Sequence, residues 1–133
     1  MMIRQTEYED IPAIMKLMKS EPEFWQASWS EDVIKRGVIS ANGLSFVCEE
    51  EGQVLGFICA HDLGFRAYLS ALVVHGDTQN RGIGKQLVKH VEHELKVLGC
   101  TIIIADVWEN AQTFYKSLGW AEPDVILLRK TLI

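Results

Sequence analysis

Leu72-Val73-Val74-His75-Gly76-Asp77-Thr78-Gln79-Asn80-Arg81-Gly82-Ile83-Gly84-Lys85 runs from an apolar strand, through a short polar turn, into a glycine-punctuated helix. The first N–H groups of a helix have no intrahelical acceptor, and the helix dipole is positive at that end. Gly82 and Gly84 lack Cβ and let the backbone close on an anion, while Arg81 and Lys85 add positive charge beside it. The junction suits a pyrophosphate. Taken alone it also suits a tight strand-to-helix turn, and Arg81 and Lys85 read equally as solvated surface charge.

Two phosphate loops are excluded by spacing. A Walker A loop needs Gly where this chain has Gln79, and Ser or Thr where it has Gln86. A dinucleotide fingerprint needs a third Gly where Leu87 stands. The remaining pattern, Gln79-x-x-Gly82-x-Gly84, resembles the pyrophosphate loop of the GNAT family of N-acetyltransferases. That family's motif is Gln/Arg-x-x-Gly-x-Gly/Ala, between its fourth strand and third helix.

A chain of 133 residues is expected to form one domain, 1–133, with a core that needs no staples. A hydrophobic content of 48% with mixed charge fits a globular protein. No apolar run approaches the roughly 18 residues of a membrane span, and Met1-Met2-Ile3-Arg4-Gln5 lacks a signal-peptide core. Cys48, Cys59 and Cys100 lie in apolar segments without metal-type spacing, which fits reduced core thiols and a cytoplasmic location. The net charge of −5 argues mildly against nucleic-acid binding and would suit a cationic substrate.

Along the chain, residues 1–7 form a strand candidate, and Glu9, Asp10 and Pro12 start a helix with apolar positions Ile11, Ile14, Met15 and Met18. Glu21-Pro22-Glu23 stops it. Ser30 caps a second helix that ends between Gly37 and Asn42. Residues 44–50 and 53–61 read as a hairpin around Glu51-Gly52, and residues 67–75 as the strand feeding the glycine loop. The helix 82–98 keeps Ile83, Leu87, Val91, Leu95 and Leu98 on one face and ends at Gly99. The apolar run Cys100 to Val107 predicts an inner strand covered on both faces. Asn110 is placed to cap a short helix through Leu118, and residues 124–133 predict a last strand. The order βααβββαβαβ describes a single α/β domain around one mixed sheet.

That order also resembles the GNAT family, as does Asn110-Ala111-Gln112-Thr113-Phe114-Tyr115-Lys116-Ser117-Leu118-Gly119-Trp120. The family's matching helix ends in Phe-Tyr-x-x-x-Gly-Phe, with Trp120 here in place of the last Phe. The resemblance implies a mostly antiparallel sheet whose fourth and fifth strands splay apart, and acetyl-coenzyme A as cosubstrate without a metal. Backbone N–H groups from Asn80 to Lys85, including Ile83, would grip the pyrophosphate. Leu72, Val73 and Val74 would flank the pantetheine arm, with the Val74 N–H polarising the thioester carbonyl. Asn110 would touch the cofactor, cap its helix, or both. Tyr115 would protonate the departing thiolate; its rival role is packing beside Phe114.

The general base is not assigned by any spacing. The fourth strand offers Tyr68 and Ser70 but no carboxylate; Glu49, His61, Asp62, Asp106 and Glu109 are candidates whose simpler reading is an exposed strand-end residue. His90, His93 and Glu94 share a helix without a Cys or further ligand beside them in sequence, so a solvated face is the simpler reading. Phe24, Trp25 and Trp29 either cover the sheet or frame an amine. No cysteine lies in either motif, which favours direct transfer to an amine of a small molecule or peptide over an acyl-enzyme. The alternatives are a catalytically silent acyl-coenzyme A sensor and a partner-binding subunit, whose tail Val125-Ile126-Leu127-Leu128 pairs between chains as a homodimer.

Overall fold

The turn Glu51-Gly52 takes φ of 52° and 77°, the positive values that a two-residue hairpin loop matched to strand twist requires. In the computed structural model, which describes residues 1–133, this turn joins β2 (Ser45–Glu50) to β3 (Gln53–Asp62). β1 (Met2–Gln5) pairs antiparallel with β2, and β4 (Ala67–Val74) antiparallel with β3. β5 (Ile103–Ile104) runs parallel to β4, completing a five-stranded sheet in the order β1-β2-β3-β4-β5.

Leu55 to Ala60 of β3 are all buried, as a central strand covered on both faces should be. Strand alternation sends successive side chains to opposite faces. Gly56 faces α3 (Ile83–Val97), where an added Cβ would stand 2.9 Å from both Ile83 Cγ2 and Leu87 Cδ1. Cys59 and His61 face α2 (Glu31–Ala41), in contact with Gly37 and Ser40. α1 (Ile11–Ser20) packs beside α2 and buries Ile11, Ile14, Leu17 and Met18. α4 (Gln112–Ser117) follows β5. No helix is long and apolar enough to cross a membrane.

Two irregularities shape the site. The β3–β4 register slips between Cys59↔Ala71 and Ala60↔Leu69, which leaves Ser70 as the extra residue of a bulge. The β4–β5 ladder holds only Ala67↔Ile103 and Tyr68↔Ile104. Past that point the two strands part, as the resemblance implied.

Three sequence expectations are corrected. The run Cys100 to Val107 is not an inner strand; Ile103 and Ile104 alone form strand, half-buried at the sheet edge, and Ile102 is 56% exposed. Nothing pairs with its far side. Residues 124–133 form no strand, and Val125, Ile126 and Leu128 are exposed. Apolar β-formers settle into a ladder only where a partner strand is available. Asn110 caps no helix; it lies within a short 3-10 turn, Glu109–Ala111, and α4 starts after Ala111 without a side-chain cap.

Candidate active site

The end of β4 leads through a 3-10 segment, Gly76–Arg81, to Gly82 and then α3. Gly82 has φ of 78°, a conformation in which a Cβ would be strained even though nothing lies within 4 Å of it. The Gln86 N–H reaches back to the Gly82 carbonyl at 3.1 Å. The N–H groups of Ile83, Gly84 and Lys85 therefore open a 15-residue helix at its positive end. Asn80 and Lys85 are exposed there.

The other side chains of the loop are committed to the protein. Gln79 Nε2 donates to the Val74 carbonyl at 3.2 Å and to Glu21 Oε1 at 3.0 Å, tying the loop to the strand and to the end of α1. Arg81 forms a two-pronged ion pair with Glu50 at 2.7 and 2.9 Å. Its hydrogen bonds hold the Glu50 carboxyl below its ordinary range. Gly84 has a packing reason: a Cβ there would stand 3.3 Å from Phe114 Cζ and 3.6 Å from Val74 Cγ2.

Where β4 and β5 part, a cavity of about 700 Å³ opens. Tyr68, Leu69, Ser70, Ala71 and Leu72 form one wall; Ala105, Asp106, Val107 and Trp108 form another; Phe24, Trp29 and Tyr115 close the sides. Leu72 thus borders the space, whereas Val73 is buried in the core and Val74 is half-buried. The Tyr68 hydroxyl donates to Asp106 Oδ1. Burial, and then that acidic partner, push the Tyr68 phenol up to about 12.

Tyr115 is half-buried, with Phe114 and Trp120 ring centroids 5.0 and 5.2 Å away. Burial alone pushes its phenol up to about 12, so it holds its proton at neutral pH. Trp29 reaches the cavity. Trp25 instead packs edge-on against it at 5.8 Å and lies under Lys19.

The five candidate bases separate clearly. Glu49 is tied to Arg4 at 2.6 Å, and Asp62 accepts the Gly64 N–H at 2.9 Å in a turn. Glu109 and Asn110 line a second, smaller opening of about 490 Å³ with Glu23 and Trp108. Asp106 borders the main cavity directly. His61 is buried behind it, with Nε2 2.7 Å from Ser70 Oγ and Nδ1 3.1 Å from Ser40 Oγ. His90 packs edge-on to Phe46 at 4.4 Å.

Sequence reading missed Trp108, Gln26, Ser28, Leu127 and Arg129, all of which line the main cavity. They come from loops and the tail, where no local periodicity marks a site.

Residues 11–120 match the model of the acetyltransferase (GNAT) family. The chain belongs to the GNAT family. It is an acyl-coenzyme A-dependent N-acetyltransferase. This GNAT enzyme is 33% identical over 128 residues to the peptidyl-lysine N-acetyltransferase YiaC of Escherichia coli strain K12, covering 90% of this chain and 82% of that one. Its fold is similar to that of the PaiA N-acetyltransferase from Thermoplasma acidophilum, solved in complex with coenzyme A. That match has a TM-score of 0.81 at 18% identity, over 94% of this chain and 92% of that one. The ribosomal-protein-S18-alanine N-acetyltransferase from Escherichia coli is also similar, with a TM-score of 0.76 at 26% identity, over 92% and 78% of the two chains.

Proposed function

We propose that this GNAT enzyme transfers an acetyl group from acetyl-coenzyme A to a primary amine, on a peptide lysine or a small molecule, by direct attack in a ternary complex. The observation that carries the reading is the cavity between the parted strands, with Tyr115 on its wall and the glycine loop following β4. The residues present fit the cosubstrate: Gly82 turns the chain so that α3 opens with free N–H groups. Backbone N–H groups from Asn80 to Lys85 hold the pyrophosphate, Leu72 to Val74 flank the pantetheine arm with the Val74 N–H at the thioester carbonyl, and Asn110 adds a contact.

Acetyl-coenzyme A supplies an activated carbonyl and a thiolate leaving group. The chain supplies the rest. Asp106 is the carboxylate bordering the cavity, and with Phe24, Trp29 and Trp108 it offers an alkylammonium both charge and aromatic faces. Tyr115 gives its proton to the departing sulfur. None of the three cysteines lines the cavity, and burial raises the thiols of Cys48 and Cys59, which supports direct transfer. A lysine side chain is favoured as acceptor by the relative's peptidyl-lysine activity. The exposed apolar tail residues Val125, Ile126 and Leu128, together with a sheet open at both edges, support pairing of two copies, which sedimentation at increasing concentration would test.

Thiol release from acetyl-coenzyme A with a lysine peptide and with a diamine tests the reading. Wild type is expected to turn over, and Tyr115→Phe to lose about 100-fold or more in kcat while still binding the cosubstrate. Equal kcat in Tyr115→Phe would remove Tyr115 as the acid.

A further inference from the structure

His61 is a histidine inside an otherwise apolar wall, bonded at both ring nitrogens to hydroxyls of different elements. On one side Nε2 lies 2.7 Å from Oγ of Ser70, which lines the cavity. On the other, Nδ1 lies 3.1 Å from Oγ of Ser40, an exposed residue of α2. Burial alone asks for a partner at each ring nitrogen. What sets this ring apart is where the two partners lead, one into the cavity and the other to solvent.

The hydroxyl protons fix a direction. Ser40 Oγ lies 3.1 Å from the Gly37 carbonyl and can donate there while accepting from Nδ1–H. Ser70 Oγ has two acceptors, Nε2 at 2.7 Å and the Cys59 carbonyl at 3.1 Å, and the imidazole nitrogen is the nearer. With the proton on Nδ1, every hydrogen in the chain is used, and a lone pair of Ser70 is left facing the cavity. The bulge at Ser70 is what turns this side chain out of the β4 alternation toward both the ring and the open space.

We infer that Ser70, His61 and Ser40 form the proton exit of the acetyl transfer: Ser70 takes the proton of the acceptor ammonium as its own passes to His61, and Ser40 delivers it to solvent. The inference rests on the transfer reading above. In balance, R–NH3⁺ loses one proton to Ser70 Oγ, the Ser70 proton moves to His61 Nε2, and the Nδ1 proton leaves through Ser40; once the product has left, exchange with solvent returns the ring from its Nε2–H to its Nδ1–H form. The neutral amine then bonds to the thioester carbon and the C–S bond breaks. The sulfur takes the Tyr115 proton, and the second proton of the nitrogen restores the phenol. One proton per turnover reaches solvent, and nothing is oxidised or reduced.

Ser70 is the group that touches the amine; His61 acts through it. Asp106 has a different place, because one of its oxygens already accepts the Tyr68 proton; it holds the ammonium. The groups facing the ring are Ser40 from α2, the Cys59 thiol at 3.8 Å from β3, and from β4 the Ser70 hydroxyl at 2.7 Å and the Tyr68 ring stacked at 6.5 Å. Burial keeps both the thiol and the phenol neutral at neutral pH, so no fixed charge competes with the imidazole among them.

The test is the pH profile of kcat/KM for thiol release with a lysine peptide, in wild type, Ser70→Ala, Ser70→Thr, His61→Gln and Asp106→Asn. Ser70 is exposed to the cavity, so its variants keep the fold, and calorimetry with acetyl-coenzyme A verifies that each variant still binds. Ser70→Ala and His61→Gln are expected to lose about 100-fold or more in kcat at neutral pH, with the amine KM little changed. The loss should shrink as pH approaches roughly 10.4, where a lysine amine sheds its own proton. Ser70→Thr restores kcat, and Asp106→Asn raises KM. A neutral-pH kcat that survives in Ser70→Ala, or a loss that is the same at every pH, overturns the relay alone. A wild type that binds acetyl-coenzyme A yet acetylates no amine overturns the transfer reading, and the relay with it.

Discussion

Gly84 and Phe114 meet so closely that a Cβ on the glycine would stand 3.3 Å from the ring. This contact presses the first turn of α3 against α4, which carries Tyr115 one residue on. Gly84→Val is therefore expected to lower stability by about 1–3 kcal/mol through overpacking, and to reduce kcat by displacing Tyr115. Urea denaturation and thiol release check the two effects separately. Unchanged values for both would mean that Phe114 moves freely.

Gly82 has the opposite character, with open space around it but φ of 78°. Replacing it by Ala is expected to cost about 1–2 kcal/mol of stability from the left-handed backbone alone. Gly82→Asn should cost less, because Asn tolerates this region better. Thermal unfolding of the two variants provides the comparison.

Asp10 accepts two hydrogen bonds from Arg4 at 2.8 Å and one from the Glu7 N–H at 2.7 Å, joining the start of α1 to β1. The guanidinium holds its carboxyl below the ordinary range despite its burial. A depressed folded value means that stability is present above the unfolded value and is lost as pH falls through the folded one. Asp10→Asn should destabilise by about 1.5–3 kcal/mol at pH 7, and the difference from wild type should vanish in strong acid. Denaturation curves at descending pH measure it.

Tyr68 and Tyr115 carry the opposite sign. Both phenols are raised to about 12, against roughly 10 in an unfolded chain. Their stabilisation is complete below the unfolded value and is lost as pH climbs toward the folded one. Stability should fall between pH 10 and about 12, and the double Phe variant should fall less. Ultraviolet titration of the phenolates follows the same two groups; ordinary titration near pH 10 would contradict their burial.

What the sequence conveyed was local. The Glu51-Gly52 turn, the capped helix from Ser30 and the amphipathic helix after Gly82 each follow from residues a few positions apart. The Gly82-to-Gly84 loop and Tyr115 lie at a distance in the chain, and the family pattern joined them. What did not show depends on long-range partners. The run Cys100 to Val107 has strand composition throughout, yet forms strand only where β4 offers a ladder. The tail 124–133 has the same composition and no ladder at all. His61 and Ser70 meet because of a bulge whose register no alternation announces. The commitment of Arg81 to Glu50, 31 residues away, was equally hidden.

The most direct measurement is isothermal calorimetry of acetyl-coenzyme A and free coenzyme A binding to wild type and Gly82→Glu. The variant places bulk and negative charge where the pyrophosphate should rest at the start of α3. Micromolar binding by wild type that the variant loses is the expected result. Folded wild type that binds neither molecule would contradict a cosubstrate site at the glycine loop, and with it the acetyl transfer built on that site.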